Sequence, residues 1–243
     1  METEIAVSAS KLSRHFGAFK AVDEISFDVK KGEIFGFLGA NGAGKTTAIK
    51  MLCGLLKPTE GEATVAGFSI RTDTAMIKKN IGYMSQKFSL YEDLTVKENI
   101  EFYGGIYGLS REEIANKTRL LISELNLENM QNSLTRALPL GWKQRLALSA
   151  SLLHDPPIIF LDEPTGGVDP ISRRNFWRII YEIANRGKTV FVTTHYMDEA
   201  EYCNRISIMH KGKIIELGTP TGLKQKYNKT TMQDIFIHII GQN

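Results

Sequence analysis

The chain has 243 residues, 42% hydrophobic and 23% charged, which is ample core material for one large globular domain and excludes intrinsic disorder. Its 30 Lys and Arg stand against 27 Asp and Glu, and the formal charge of +3 is too small for nucleic-acid binding through bulk charge. No apolar run approaches the ~20 residues that span a bilayer, and the acidic start Met1-Glu2-Thr3-Glu4 is unlike a signal peptide. Cys53 and Cys203 stand far apart in apolar surroundings, so buried free thiols in a cytosolic chain are expected rather than a disulfide or a metal-ligand pair.

Glu4 to Lys11 alternates weakly and reads as an edge strand, whereas Ile25 to Val29 alternates clearly. Between them lies Arg14-His15-Phe16-Gly17-Ala18-Phe19. Phe16 is either a core residue of this β layer or an exposed platform for a nucleotide base. Glu33 to Leu38 is a short apolar run with the pattern of a buried strand, and Ala48 to Leu56 has helical spacing, with Ile49, Leu52, Leu55 and Leu56 on one face.

Joining them is Gly39-Ala40-Asn41-Gly42-Ala43-Gly44-Lys45-Thr46-Thr47, which fits G-x-x-x-x-G-K-[ST]. A polyphosphate needs a concave ring of backbone N–H donors at close approach, which is why such a loop is rich in glycine. The helix that follows begins with unpaired N–H groups and the positive end of its dipole. Lys45 suits the β- and γ-phosphates, the Thr46 hydroxyl suits Mg²⁺, and Thr47 is left for the α-phosphate. A dinucleotide fingerprint fits worse, because G-x-G-x-x-G needs glycine at Thr47. The loop points to a nucleoside triphosphate.

Gly61 to Ile70 reads as a β hairpin, and Ile81 to Met84 as a strand ending at Ser85-Gln86, where Gln86 is placed to face a ligand. The character then turns helical. Thr95 to Glu98 and Ser110 to Glu113 are capping-box patterns, the first opening a helix to about Tyr107 and the second a helix stopped near Asn126 with Ile114, Leu121, Ile122 and Leu125 on its stripe. A third helix is expected from Gly141 to Leu153 with Pro139 near its first turn. Together these suggest a helical insert in an α/β core.

The core resumes after His154-Asp155-Pro156-Pro157 with Ile158 to Leu161, a buried parallel strand delivering Asp162 and Glu163. Two adjacent acids there imply a cation or a catalytic task. A helix over Arg173–Arg186 with Gly187 as its cap, a strand over Thr189–Thr193 presenting Thr194-His195, and an acidic helix start at Asp198 and Glu199 follow. Alternating strands and helices are the doubly wound α/β pattern. Arg205–Met209 and Lys213–Leu217 read as two more strands, and Met232 to Ile240 is a docking helix or a partner surface.

In this order the residues resemble the ATP-binding cassette (ABC) transporter ATPases over essentially the whole chain. The resemblance implies a P-loop NTPase core with a parallel sheet and an N-terminal antiparallel β layer (1–86 and 154–218, RecA-like), an inserted α-helical subdomain (87–153) and a C-terminal tail (219–243), all within one domain, 1–243. It makes Phe16 the adenine-stacking aromatic, Gly39 to Thr47 the Walker A loop, Gln86 the Q-loop glutamine, Asp162 a support for Mg²⁺, Glu163 the general base, Gly166-Gly167-Val168-Asp169 a D-loop acting across a dimer, and His195 the switch histidine on the γ-phosphate. Gln86 would link metal, attacking water and membrane partner. The implied ligands are ATP and Mg²⁺. The implied partners are transmembrane permease subunits and a second cassette, with no nucleic acid, on the cytoplasmic side of the cell membrane.

One element departs from the family. Its Leu-Ser-Gly-Gly-Gln segment appears here as Leu138-Pro139-Leu140-Gly141-Trp142. Pro139 removes a hydroxyl and an N–H, and Leu140 adds bulk. A hydrogen bond to a charged group is worth about 1.5–3 kcal/mol, so losing one costs roughly ten- to a hundredfold unless something replaces it. Gly141 remains to contact nucleotide, and a branch of bacterial ABC-2-type exporters carries a similar form. A working variant of the segment is favoured over a weakened site in an asymmetric dimer. Thr194 to Glu201 and Phe88 to Leu94 resemble exporters of drugs, lipids or polysaccharides, and Phe88 to Tyr103 is where the membrane subunit is expected to dock. The rival readings are a soluble ABC ATPase acting on ribosomes or DNA, whose coiled-coil insertion or paired cassettes are not seen here, and one half of a tandem chain.

Overall fold

The structure is a computed structural model that describes residues 4–87 and 89–241. Its strands are β1 (Ile5–Phe16), β2 (Phe19–Lys30), β3 (Ile34–Gly39), β4 (Glu60–Val65), β5 (Phe68–Ser69), β6 (Ile81–Met84), β7 (Ile158–Asp162), β8 (Thr189–Thr194), β9 (Arg205–His210) and β10 (Lys213–Gly218). Its helices are α1 (Lys45–Leu52), α2 (Thr74–Asn80), α3 (Val96–Ile106), α4 (Arg111–Glu124), α5 (Leu140–Ser151), α6 (Pro170–Asn185), α7 (Pro220–Tyr227) and α8 (Met232–Gly241).

Two sheets face each other. A four-stranded antiparallel sheet runs β2-β1-β4-β5, and a six-stranded sheet runs β10-β9-β3-β8-β7-β6, parallel except for β10. β1 therefore lies inside its sheet, not at the expected edge. Its alternation is weak because the register shifts between Ile5 and Val7 and between Ala9 and Leu12, and each irregularity breaks the period of two. The link expected over Arg14–Phe19 is instead a hairpin, closed by the pair Phe16 and Phe19 around Gly17 at φ 59°. In the second sheet every residue of β3, β7 and β8 is buried, as continuous apolar runs in a covered parallel sheet require.

Phe27, Phe35, Phe37 and Phe191 meet between the two sheets, Phe37 and Phe191 with ring centroids 5.2 Å apart. On the other face of the six-stranded sheet, Phe176, Trp177 and Ile180 of α6 pack with Ile235 and Ile239 of α8. The terminal helix thus docks on its own domain. A third apolar cluster, with Val96, Ile100, Ile122, Leu125, Leu146 and Leu153, joins α3, α4 and α5.

Several boundaries move. α1 starts at Lys45 and ends at Leu52, and Gly54 at φ 66° turns the chain so that Leu55 is 51% exposed rather than on the buried face. Both capping boxes form, at Thr95 with Glu98 and at Ser110 with Glu113. α5 starts at Leu140, one place before the expected Gly141, with Pro139 at its N-cap next to the first turn. α6 begins at Pro170, capped by Asp169, and the acidic start at Asp198 and Glu199 is a 3-10 turn, Met197–Tyr202. Cys53 and Cys203 are free and buried, and burial pushes both thiols up.

Candidate functional site

Neighbouring parallel strands β3, β8 and β7 end at one height, with Leu38 paired to Thr194 and Asp162 to Thr193. Their exits are the glycine-rich loop, Thr194-His195 and Asp162-Glu163, so three distant stretches of sequence meet at the carboxyl edge of the sheet, where α/β folds bind ligands. A cleft of about 290 Å³ lies there, lined by Phe19, Asn41, Gly42, Gly44, Lys45, Thr46, Thr47, Gln86 and Glu163 among others.

The loop has the form a phosphate group needs. Gly44 lies at φ 107°, and a Cβ there would stand 2.3 Å from the Ala21 carbonyl oxygen, so only glycine fits. It begins α1 without a side-chain cap. The helical ladder starts with Ala48 N–H on the Gly44 carbonyl at 2.9 Å, which leaves the N–H groups of Lys45, Thr46 and Thr47 ahead of it. The Lys45 ammonium is buried, donating to the carbonyls of Gly39 (2.8 Å) and Ala40 (3.1 Å) and paired with Glu163 Oε1 at 3.1 Å.

Consecutive strand residues point to opposite faces, yet Asp162 and Glu163 both serve this cleft. Glu163 has φ 48°, a left-handed torsion that costs a non-glycine residue about 1–3 kcal/mol and persists only where its surroundings hold it. They do. The Glu163 N–H donates to Thr193 Oγ1 at 2.9 Å, and its Oε2 accepts from Gln86 Nε2 at 3.1 Å and meets His195 Nδ1 at 3.1 Å. Asp162 Oδ1 accepts from Thr193 Oγ1 at 2.8 Å and Thr46 Oγ1 at 3.1 Å. Burial pushes the Asp162 carboxyl up, and those two hydroxyls oppose the shift.

The Thr46 hydroxyl and Asp162 carboxylate form a compact pair of hard oxygen donors. That fits Mg²⁺, which takes one or two protein oxygens and completes its shell with water and phosphate. Among the described residues no group of three or more His, Cys, Asp or Glu gathers as a metal cage, so a site shared with a substrate phosphate is the form these donors allow.

Two expected contacts lie outside the cleft. Phe16 is 48% exposed with the Arg14 guanidinium 4.6 Å from its ring centroid, so it is no core residue; Phe19, three residues on in the same hairpin, lines the cleft instead. Gly141 borders a separate small cavity with Pro139, Leu140, Gly167 and Asp169, which shares no lining residue with the phosphate-loop cleft. Sequence reasoning also missed Thr193, fully buried and bonded to both acids. A hydroxyl-bearing pair, Thr193-Thr194, closing β8 directly after the apolar run Val190-Phe191-Val192 was the available signal. Phe88, the first residue of the stretch expected to meet a membrane subunit, lies outside the described residues.

Residues 22–166 match the profile of the ABC transporter family. The chain belongs to that family. It is 49% identical over 242 residues to the probable multidrug ABC transporter ATP-binding protein YbhF of Escherichia coli (strain K12), an alignment covering 98% of this chain and 42% of that protein. The chain thus spans about two-fifths of the length of that relative. To the linearmycin resistance ATP-binding protein LnrL of Bacillus subtilis (strain 168) it is 36% identical over 237 residues, 97% of this chain and 76% of the other. Among solved structures, the ATP-binding cassette MJ0796, in a dimeric post-hydrolysis state bound to ADP and Pi, superposes with a TM-score of 0.79 at 27% identity, over 88% of this chain and 98% of that one. The two-sheet α/β architecture is that of the family's ATPase domain. Among the described residues no helix is long and apolar enough to cross a membrane.

Proposed function

We propose that this chain is the ATP-hydrolysing cassette of a membrane exporter, working as one half of a dimer that closes on ATP and reopens after hydrolysis. The observation that carries the chemistry is the Glu163 carboxylate, fixed by Lys45, Gln86 and His195 at 3.1 Å each beside the Thr46–Asp162 oxygen pair. Entry of a triphosphate gives the Lys45 ammonium and the N–H groups of α1 an anion to hold, which frees Glu163 to accept a proton from the attacking water. His195, on the same carboxylate, then reaches the γ-phosphate, and Gln86 lies on the path from the site to a partner. Mg²⁺, held by Thr46 and Asp162, would neutralise charge on the β- and γ-oxygens. Positioning and electrostatics supply the acceleration, as in phosphoryl transfer generally.

A permease partner is supported by an aromatic surface on α3 and the segment before it. Tyr91 (49%), Phe102 (39%) and Ile106 (59%) are exposed, Tyr91 and Phe102 meet edge to face at 4.6 Å, and beside them opens a cavity of about 320 Å³ floored by Tyr83, Tyr103 and Tyr107. The names of the bacterial relatives, multidrug and linearmycin resistance, support export. On this reading the chain works peripherally on the cytoplasmic side of the cell membrane, held there by the permease. The Leu138-Pro139-Leu140-Gly141 segment works as it stands. At the N-cap Pro139 gives up no helical hydrogen bond, and its carbonyl accepts from Trp142 N–H at 3.0 Å and Lys143 N–H at 3.1 Å, so the N–H groups of Leu140 and Gly141 stay available to a nucleotide on a second cassette.

The test is Glu163→Gln. Hydrolysis is expected to fall at least a hundredfold while ATP binding survives, with an ATP-bound dimer accumulating on size exclusion. Hydrolysis at the parent rate would remove Glu163 from the mechanism.

A further inference from the structure

We propose that Glu199 is a positioning residue for hydrolysis: its buried carboxylate fastens the loop that leaves Glu163 to the loop that leaves His195. The inference rests on the ATPase reading above and adds to it residues that touch no nucleotide.

Glu199 is completely buried on the 3-10 turn Met197–Tyr202. Its Oε1 accepts a hydrogen bond from Thr165 Oγ1 at 2.6 Å and lies 3.7 Å from Arg173 Nε. Its Oε2 has no hydrogen-bond partner among the described residues. An apolar side chain of similar volume would fill this place without the desolvation that a carboxylate suffers. What a carboxylate adds is the ability to hold a hydroxyl and a guanidinium at once, and here they belong to different elements.

Thr165 lies two residues after Glu163, whose φ of 48° needs restraint on both sides. The Thr193 contacts hold Glu163 on the entry side. On the exit side Gln144 Nε2 of α5 donates to the Pro164 carbonyl, and Thr165 is tied to Glu199. Arg173, on α6, carries the restraint onward. Its guanidinium carbon lies 3.8 Å from the Tyr196 ring centroid, and the Tyr196 ring is 4.2 Å from that of His195. Glu163 and His195, which meet at Oε2 of Glu163, are thus backed by one network centred on the buried Glu199, and loss of alignment of reacting groups by about 1 Å is enough to slow a reaction a hundredfold.

The experiment uses the full chain, measuring kcat and KM for Mg-ATP hydrolysis and the Kd of a fluorescent ATP analogue, with activity normalised to folded protein. Thr165→Val keeps the shape and deletes the hydroxyl; Thr165→Ser keeps the hydroxyl. Expected are a kcat about tenfold lower for Thr165→Val with KM and Kd within about twofold of the parent, and recovery to within about threefold in Thr165→Ser. Glu199→Ala is expected to reproduce the loss, and Glu199→Ala with Thr165→Val to lose no more than either alone; should the Glu199 variants not fold, the Thr165 pair decides. A Thr165→Val kcat within about twofold of the parent, a loss matched in KM and Kd, or a serine that fails to rescue overturns the proposal alone. A parent chain without Mg-ATP hydrolysis overturns the ATPase reading together with it.

Discussion

Lys45 and Glu163 form an ion pair with side chains only 3% and 8% exposed, and the structure makes their removal unequal. Deleting one partner of a buried pair strands the other charge, at a cost of about 3–5 kcal/mol. Without Lys45, as in Lys45→Met, Glu163 keeps only neutral-amide and imidazole contacts, from Gln86 and His195 at 3.1 Å. The expected loss is about 3 kcal/mol, the lower end of that range, because those two contacts persist. Without the carboxylate, as in Glu163→Gln, Lys45 keeps the Gly39 and Ala40 carbonyls at 2.8 and 3.1 Å. Those are bonds to a charged donor, so the loss is put at about 1–2 kcal/mol. Removing both partners strands neither charge, so the double variant is expected to recover about 1–2 kcal/mol relative to the sum. At roughly 2–4 °C per kcal/mol for a domain of this size, Lys45→Met alone should lower Tm by roughly 6–12 °C. The assay is urea denaturation of the protein without nucleotide, with m-values compared across the cycle. Losses that add within about 0.5 kcal/mol would refute the reasoning.

Three further outcomes are expected. Base–aromatic stacking is worth about 1–3 kcal/mol, so Phe16→Ala should weaken ATP binding about tenfold and leave tripolyphosphate binding unchanged, while Phe19→Ala, beside the phosphate loop, should alter both; equal losses of the two ligands in Phe16→Ala would sink the stacking role. Pro139→Ser combined with Leu140→Gly should change steady-state hydrolysis by less than about twofold, and a tenfold rise would show the native segment to be impaired. His154 Nε2–H donates to the Ile81 carbonyl, 3.0 Å away, with its Nδ1 buried and unpaired among the described residues, and burial pushes its pKa down. The unfolded chain then takes up a proton first as pH falls through about 6.5, so stability present at neutral pH is lost on acidification below that value. The denaturation midpoint should drop over that range, and less steeply in His154→Asn; parallel profiles would remove His154 from the account.

The parts of the fold that were legible are those in which local chemistry and tertiary environment ask for the same residues. Thr95 and Ser110 announced α3 and α4 because a capping box is complete within four residues. Ile158 to Leu161 announced β7 because a doubly covered strand has no polar face to show. α2 was missed since Ile77 is its one buried residue, which leaves no stripe to detect. β1 was misplaced to the edge because its bulges scramble the alternation that signals two covered faces, and Leu55 was put on the wrong side because nothing in the spacing revealed the left-handed turn at Gly54.

At the site the division is similar. Gly39 to Thr47, Asp162, Glu163, Gln86 and His195 stand at or near strand ends, where a sequence shows its chemistry, and the structure gathers them at one edge of the sheet, where Asp162 bonds Thr46 and His195 meets Glu163. Thr193, Thr165 and Glu199 act on neighbours far away in the chain, separated from their partners by 31 residues between Asp162 and Thr193 and by 34 between Thr165 and Glu199. No local pattern encodes a partner at that distance. Phe16 and Phe19 differ only in which way a hairpin turns them, which the sequence leaves open.

The equal height at which β3, β7 and β8 release their loops sets a tolerance on change. One residue added to or deleted from β8 would exchange Thr193 for a neighbour of opposite facing and unseat both acids at a stroke. The far rim, where the turn at Gly187 leads into β8, is under no such constraint. Natural length variation, and any spliced-in reporter or tether, belongs on that rim.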